Sequence, residues 1–76
     1  MSVRLDADQL DYAMAVRVIT ARQLAALSGV GEATISRARN GHKITPATMR
    51  KLLDALARVP EVPGAAALIG AAERSA

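Results

Sequence analysis

Residues 45–59, TPATMRKLLDALARV, fit one conformation far better than any other. Met49, Leu52, Leu53 and Leu56 recur at i, i+3, i+4 and i+7, the spacing that gathers side chains on one face of an α-helix. Thr45 is placed to cap the helix N-terminus, and Pro46 follows at the first helical position, where a missing N–H is no loss. A helix with one apolar face needs that face covered, because packing supplies most of its stability. The rest of the chain must provide the cover, and its means are narrow. Tyr12 is the only aromatic residue and cysteine is absent, so neither a disulfide nor a thiolate metal site can brace the fold. Leu, Ile, Val, Met and Ala have to build the core, a set that suits closely packed helices.

Four further helical segments can be marked and no strand. The first begins near Asp6 or Asp8, either of which can cap it, and carries Leu10, Ala13, Met14 and Arg17 at helical spacing, with Ile19 completing the apolar side. Thr20 is a candidate N-cap for the second, ARQLAALS, whose apolar positions are Leu24, Ala25 and Leu27. Gly29 stops it, since glycine accepts a left-handed backbone at a helix end. The third runs from about Glu32 to Asn40, with Ile35 and Ala38 inward, and Gly41 ends it. HKI is read as a loop. Beyond Pro60 and Pro63, the tail GAAALIGAAERSA places Ala65, Leu68, Ile69 and Ala72 on one stripe of a fifth helix.

Charge is distributed unevenly. From Tyr12 to Leu53 stand Arg17, Arg22, Arg37, Arg39, Lys43, Arg50 and Lys51 against Glu32 alone, a local excess of +6 in a chain of net charge +3. Such an excess on a small domain is the electrostatic footprint of a phosphate-rich partner. Catalysis finds no support. Asp6, Asp8 and Asp11 gather where acids favour a helix N-terminus, and no nucleophile–base pair or Walker-type glycine loop is present. His42 reads as an exposed loop residue. No metal, cofactor or small-molecule ligand is expected. No segment has the ~20 apolar residues of a membrane span, and MSVRLDADQLDYAM lacks the apolar run of a signal peptide, so the expected location is the cytoplasm of a bacterial host.

Two short helices joined by Ser28-Gly29-Val30, the second closed by glycine, have the form of a helix-turn-helix. Ala25 lets the helices approach, Gly29 makes the turn, and Val30 with Ile35 fills the angle between them. One face of the third helix is then left to enter a DNA major groove about 12 Å wide. Leu24-Ala25, Ser28-Gly29-Val30, Thr34-Ile35-Ser36-Arg37, Asn40-Gly41 and the segment 45–56 together resemble the lambda-repressor-like, Cro/repressor-type helix-turn-helix domains, the XRE family. With Leu10, Ala13, Arg17 and Ile19 the likeness covers roughly residues 8–58.

That resemblance implies an all-α single domain over 1–76: a compact four- to five-helix lambda-repressor-like fold. Its helix-turn-helix would lie at 21–40, with 61–76 as a C-terminal helix or tail. It implies base contacts by Gly31, Glu32, Ala33, Ser36 and Arg37, of which Arg37 is the strongest because a guanidinium can bond both O6 and N7 of guanine. It implies backbone contacts by Arg22, Thr34, Arg39, Asn40, Lys43 and the N–H groups near Gly41, which position a protein without reading sequence. Two departures stand out. Ala21 replaces the usual glutamine, removing a phosphate contact, and the family's ion pair between helices one and three is replaced by Met14 and Arg39, leaving Arg39 free for the DNA backbone.

The partner implied is a pseudo-palindromic double-stranded operator, bound by a small Cro-like phage or bacterial repressor acting as a homodimer, with Leu68 and Ile69 as possible dimer contacts. The alternative for the tail is a helix closing the core over Leu52 and Leu56. Two other functions share the fold: an antitoxin, and a module that binds protein alone. Glu32 has two readings that can coexist. It can sit at the first helical position as a partner for the helix dipole, or accept from cytosine N4 while repelling phosphate at wrong sequences.

Overall fold

The computed structural model describes residues 2–69. It contains four helices, α1 (Ala7–Arg17), α2 (Ala21–Ser28), α3 (Glu32–Arg39) and α4 (Pro46–Ala57), and residues 65–69 are also helical. Local chemistry sets most of the boundaries. The Asp6 carboxylate accepts from Gln9 N–H at 3.1 Å and starts α1. Thr20 and Gln23 close a reciprocal capping box at α2, Thr20 Oγ1 accepting from Gln23 N–H and Gln23 Oε1 from Thr20 N–H. Thr45 caps α4 with Pro46 directly after it.

Leu10, Met14, Leu24, Val30, Ile35, Ala38, Ile44, Leu52, Ala55 and Leu56 form one buried cluster, with Ala13, Ile19, Ala21, Ala25 and Met49 packed partly against it. Helix α2 lies on both α3 and α4, while α1 covers α3. Two apolar expectations fail at the rim: Leu27 and Leu53 are exposed, Leu53 by 52 %. Leu53 lines an open apolar groove with Leu5, Leu10 and Ala13, which leaves it only partly covered. Val16 is buried although it lies off the α1 stripe, because its far side faces the C-terminal segment: Val62 N–H donates to Val16 O at 2.8 Å. The described part of the tail therefore ends beside α1, with Ile69 lining a groove with Tyr12 and Ala15. Ala72 lies outside the described residues.

A second correction concerns strands. Val3–Arg4 (β1) and Lys43–Ile44 (β2) pair antiparallel, with Val3 opposite Ile44 and Arg4 opposite Lys43. Two of the three residues of the loop expected at HKI are therefore in a ladder. Val3 and Ile44 pack toward the core while Arg4 and Lys43 are exposed, as the twofold alternation of a strand requires.

A third concerns Arg17, counted above among the surface charges. Its Nε donates to Leu56 O and Val59 O, both at 2.9 Å, and its Nη1 to Ala13 O at 2.9 Å. Half-buried, it ties α1 to the C-terminal end of α4, satisfying carbonyls that a helix end leaves without partners.

At the end of α1 the backbone turns left-handed at a β-branched residue, Val18 (φ 54°, ψ 48°). Val18 N–H donates to Ala15 O at 3.0 Å and Ile19 N–H to Met14 O at 3.2 Å, the two bonds of a Schellman motif with valine in the position glycine normally takes. The left-handed region costs an L-residue about 1–2 kcal/mol, whereas glycine adds roughly 0.4–1 kcal/mol of unfolded-state freedom. Val18 is 67 % exposed, so little packing is lost on truncation. Val18→Gly is expected to stabilise the domain by about 0.5–1 kcal/mol, read as a rise of roughly 3–5 °C in the thermal midpoint. An unchanged or lower midpoint would count against a left-handed Val18.

Candidate nucleic-acid interface

Helix α3 is held from behind. Ile35 and Ala38 are fully buried and Thr34 half-buried beside them, which fixes the rotation of the helix about its axis. With about 100° per residue, Ala33, Ser36 and Arg37 fall on the opposite, exposed side, and Glu32 and Arg39 lie along one edge. The angle between α2 and α3 is set at the turn. Gly29 is left-handed (φ 75°), its N–H donates to Ala25 O at 2.9 Å, Val30 N–H donates to Ser28 Oγ at 3.1 Å, and the Val30 side chain is buried. The result is a convex, polar ridge one helix wide.

A family model described as helix-turn-helix matches residues 17–62, more than half of the chain. The chain belongs to the XRE family of lambda-repressor-like helix-turn-helix proteins. The family is one of DNA-binding regulators, and DNA is this protein's partner. No curated protein and no solved structure shows significant similarity to the chain. Among the described residues no helix is long and apolar enough to cross a membrane, and no cluster of His, Cys, Asp or Glu is arranged to hold a metal ion.

The predicted base-facing residues of this helix-turn-helix come together. Gly31, Glu32, Ala33, Ser36 and Arg37 are all exposed at the start and along the outer side of α3. Gly31 is the N-cap and Glu32 the first helical residue and the acid of the first turn. Of the predicted backbone contacts, Arg22 is exposed on the first turn of α2, and Lys43 is exposed on β2.

Three others differ from expectation. Arg39 is not free: its Nε donates to Asp11 Oδ1 at 2.7 Å. The bond links α1 and α3 through Asp11, one turn before Met14. With the side chains 42 % and 49 % exposed, the pair contributes little to stability, since such surface bridges are worth about 0–1 kcal/mol. Asn40 Nδ2 is turned back on its own helix and donates to Ser36 O at 2.9 Å. The N–H groups around Gly41 are also occupied. Asn40 N–H reaches Ser36 O and Arg37 O, Gly41 N–H reaches Ala38 O at 3.1 Å, and His42 N–H reaches Arg37 O at 2.9 Å. Gly41 is left-handed (φ 82°), so the same Schellman arrangement that ends α3 removes the loop's backbone donors from any phosphate.

Arg4 went unnoticed in the sequence. It lies far from the helix-turn-helix along the chain, and β1 brings it beside Lys43. A basic residue next to an isolated apolar pair such as Val3 and Leu5 is the only hint a sequence offers.

Gly31 makes no side-chain cap, and a Cβ added there meets nothing within 4 Å. Gly31→Ser supplies an acceptor for the first turn of α3, a change worth a few tenths of a kcal/mol. The thermal midpoint is expected to rise by roughly 1–3 °C; a fall would show that this helix start is shaped otherwise.

Proposed function

We propose that the protein is a small Cro-like repressor, of phage or bacterial origin, which reads an operator through the major groove with α3. The observation that carries this reading is the exposed ridge of Ala33, Ser36 and Arg37 opposite the buried Ile35 and Ala38. A helix of about 10–12 Å diameter matches a major groove about 12 Å wide. Arg37 bonds guanine, Ala33 offers a methyl contact to thymine, and Ser36 touches a base or a phosphate. Gly31 lets the backbone approach closely, and Glu32 accepts from cytosine. Arg22 and Lys43 hold the DNA backbone by side-chain contacts, and Asn40 joins them only by giving up its bond to Ser36 O. Arg39 joins them by exchanging Asp11 for a phosphate.

Selection of bound duplexes from a random pool, followed by titration across salt concentrations, tests this. A defined binding sequence should emerge, and affinity should fall steeply with salt as neutralised phosphates release their counterions. Arg37→Ala is expected to lose about 1–3 kcal/mol at the selected site and relax one base position. Glu32→Gln should bind more tightly and less selectively. Salt-indifferent binding, or a pool with no enriched sequence, would sink the reading.

We further propose that it acts as a homodimer on a pseudo-palindromic site, with half-site centres about 34 Å apart. Leu68, 75 % exposed beside the half-buried Ile69, supports a contact between copies through this segment. Sedimentation of the free protein and of its complex with a two-half-site duplex is expected to give two chains per duplex. Leu68→Glu should reduce that to one, and a wild-type complex with a single chain would overturn the dimer.

A further inference from the structure

The ribbon of β1 and β2 has two unlike faces. On one, Val3 and Ile44 pack against the buried cluster, so the register is fixed: a slip of one residue would turn Arg4 into the core. On the other, Arg4 and Lys43 stand directly opposite each other, both exposed. Side chains so placed have their Cβ atoms about 5 Å apart, and like charges there repel. Neither cation is paired with a carboxylate among the described residues. Among the described residues the one ion pair is Arg39 with Asp11, and Asp6, the acid nearest Arg4 in sequence, caps α1. Two cations are thus held together with no anion of the described residues paired to either.

The loop next to the ribbon sharpens the point. From Asn40 to His42 every backbone N–H is donated within the molecule, so the end of α3 offers a phosphate no main-chain donors there. The side chains that can take that place are those of the ribbon, two residues beyond Gly41.

We propose that Arg4 and Lys43 form a two-pronged site for one phosphodiester of the DNA backbone, flanking the C-terminal end of α3. This rests on the DNA-binding reading given above and adds to it an N-terminal residue outside the helix-turn-helix. The anion relieves the repulsion between the prongs, so binding and ribbon geometry support each other. Such a contact carries no base preference. Its loss weakens binding to every sequence alike, unlike loss of Arg37.

The test uses the full chain with Arg4→Gln, Arg4→Lys and Lys43→Gln, titrated against a selected duplex and a scrambled duplex over a salt series. Thermal midpoints of the free proteins are measured in parallel. Each glutamine variant is expected to bind both duplexes about 3–10-fold less tightly, with the slope of log K against log salt reduced by about 0.9, the value for one phosphate contact. Arg4→Lys should bind like wild type, and the midpoint of Arg4→Gln should hold or rise as the repulsion goes. Wild-type slope and affinity in Arg4→Gln would overturn the site while leaving the DNA-binding reading intact. A binding loss accompanied by a lower midpoint and not rescued by Arg4→Lys would assign Arg4 a structural role instead. If wild type itself binds neither duplex, the reading beneath the site fails with it.

Discussion

Leu24, Ile35 and Leu52 are each fully buried, one from α2, one from α3 and one from α4, and they belong to the same cluster. Everything α3 can do depends on their packing. The recognition helix is only eight residues long, too short to be stable alone. It exists as a helix because Ile35 and Ala38 are covered, and it points outward because Gly29 and Val30 fix the angle at which it leaves α2. A cavity at Ile35 would disturb the orientation of Ser36 and Arg37 before it unfolded the domain. Direct contact between core and reading surface is unavoidable at this size: buried and exposed residues alternate along a single two-turn helix.

Much of this was legible in the sequence because it is local. Thr20, Gly29, Thr45 and Pro46 act on their own helix ends, and the Met49–Leu52–Leu56 spacing needs no knowledge of the partner. What escaped was non-local. A two-residue strand has no periodicity to detect, and β1 pairs with a segment far along the chain that the sequence leaves as a loop. The exposure of Leu53 and the burial of Val16 depend on where the other elements end. Arg17 did leave a signal: a cation on the apolar stripe of α1, with Leu10, Ala13 and Met14, is out of place unless it finds carbonyls, and it finds three.

The charge count also changes meaning once the side chains are placed. Of the seven cations between Tyr12 and Leu53, Arg17 is committed to holding α4, and Arg39 is shared with Asp11. A sum along the chain treated both as surface charge available to DNA. Arg22, Arg37, Lys43, Arg50 and Lys51 remain exposed, and Arg4 joins them from outside the counted window. The exposed positive charge is therefore divided among α2, α3, the β1–β2 ribbon and α4, and is not confined to the helix-turn-helix.

Several local choices on this side of the molecule disfavour the free protein. Gly31 caps α3 without a side-chain acceptor, and Arg4 faces Lys43 across a two-residue ladder. Each would be improved by a common substitution if stability alone were at stake. Elsewhere two helix starts are well made, with a reciprocal capping box at α2 and a threonine cap followed by proline at α4, while α1 ends on the strained Val18. Two of the three unfavourable choices, Gly31 and the Arg4–Lys43 pair but not Val18, thus lie on the surface proposed to meet DNA, and the repulsion between Arg4 and Lys43 is of the kind an approaching phosphate would relieve. Glu32 is the exception that fits the same logic in reverse. As the acid at the first turn of α3 it favours the free helix through the dipole, while its charge opposes the polyanion. On the proposed reading an acid there trades affinity for choice, and the exposed cations supply the grip that Glu32 withholds.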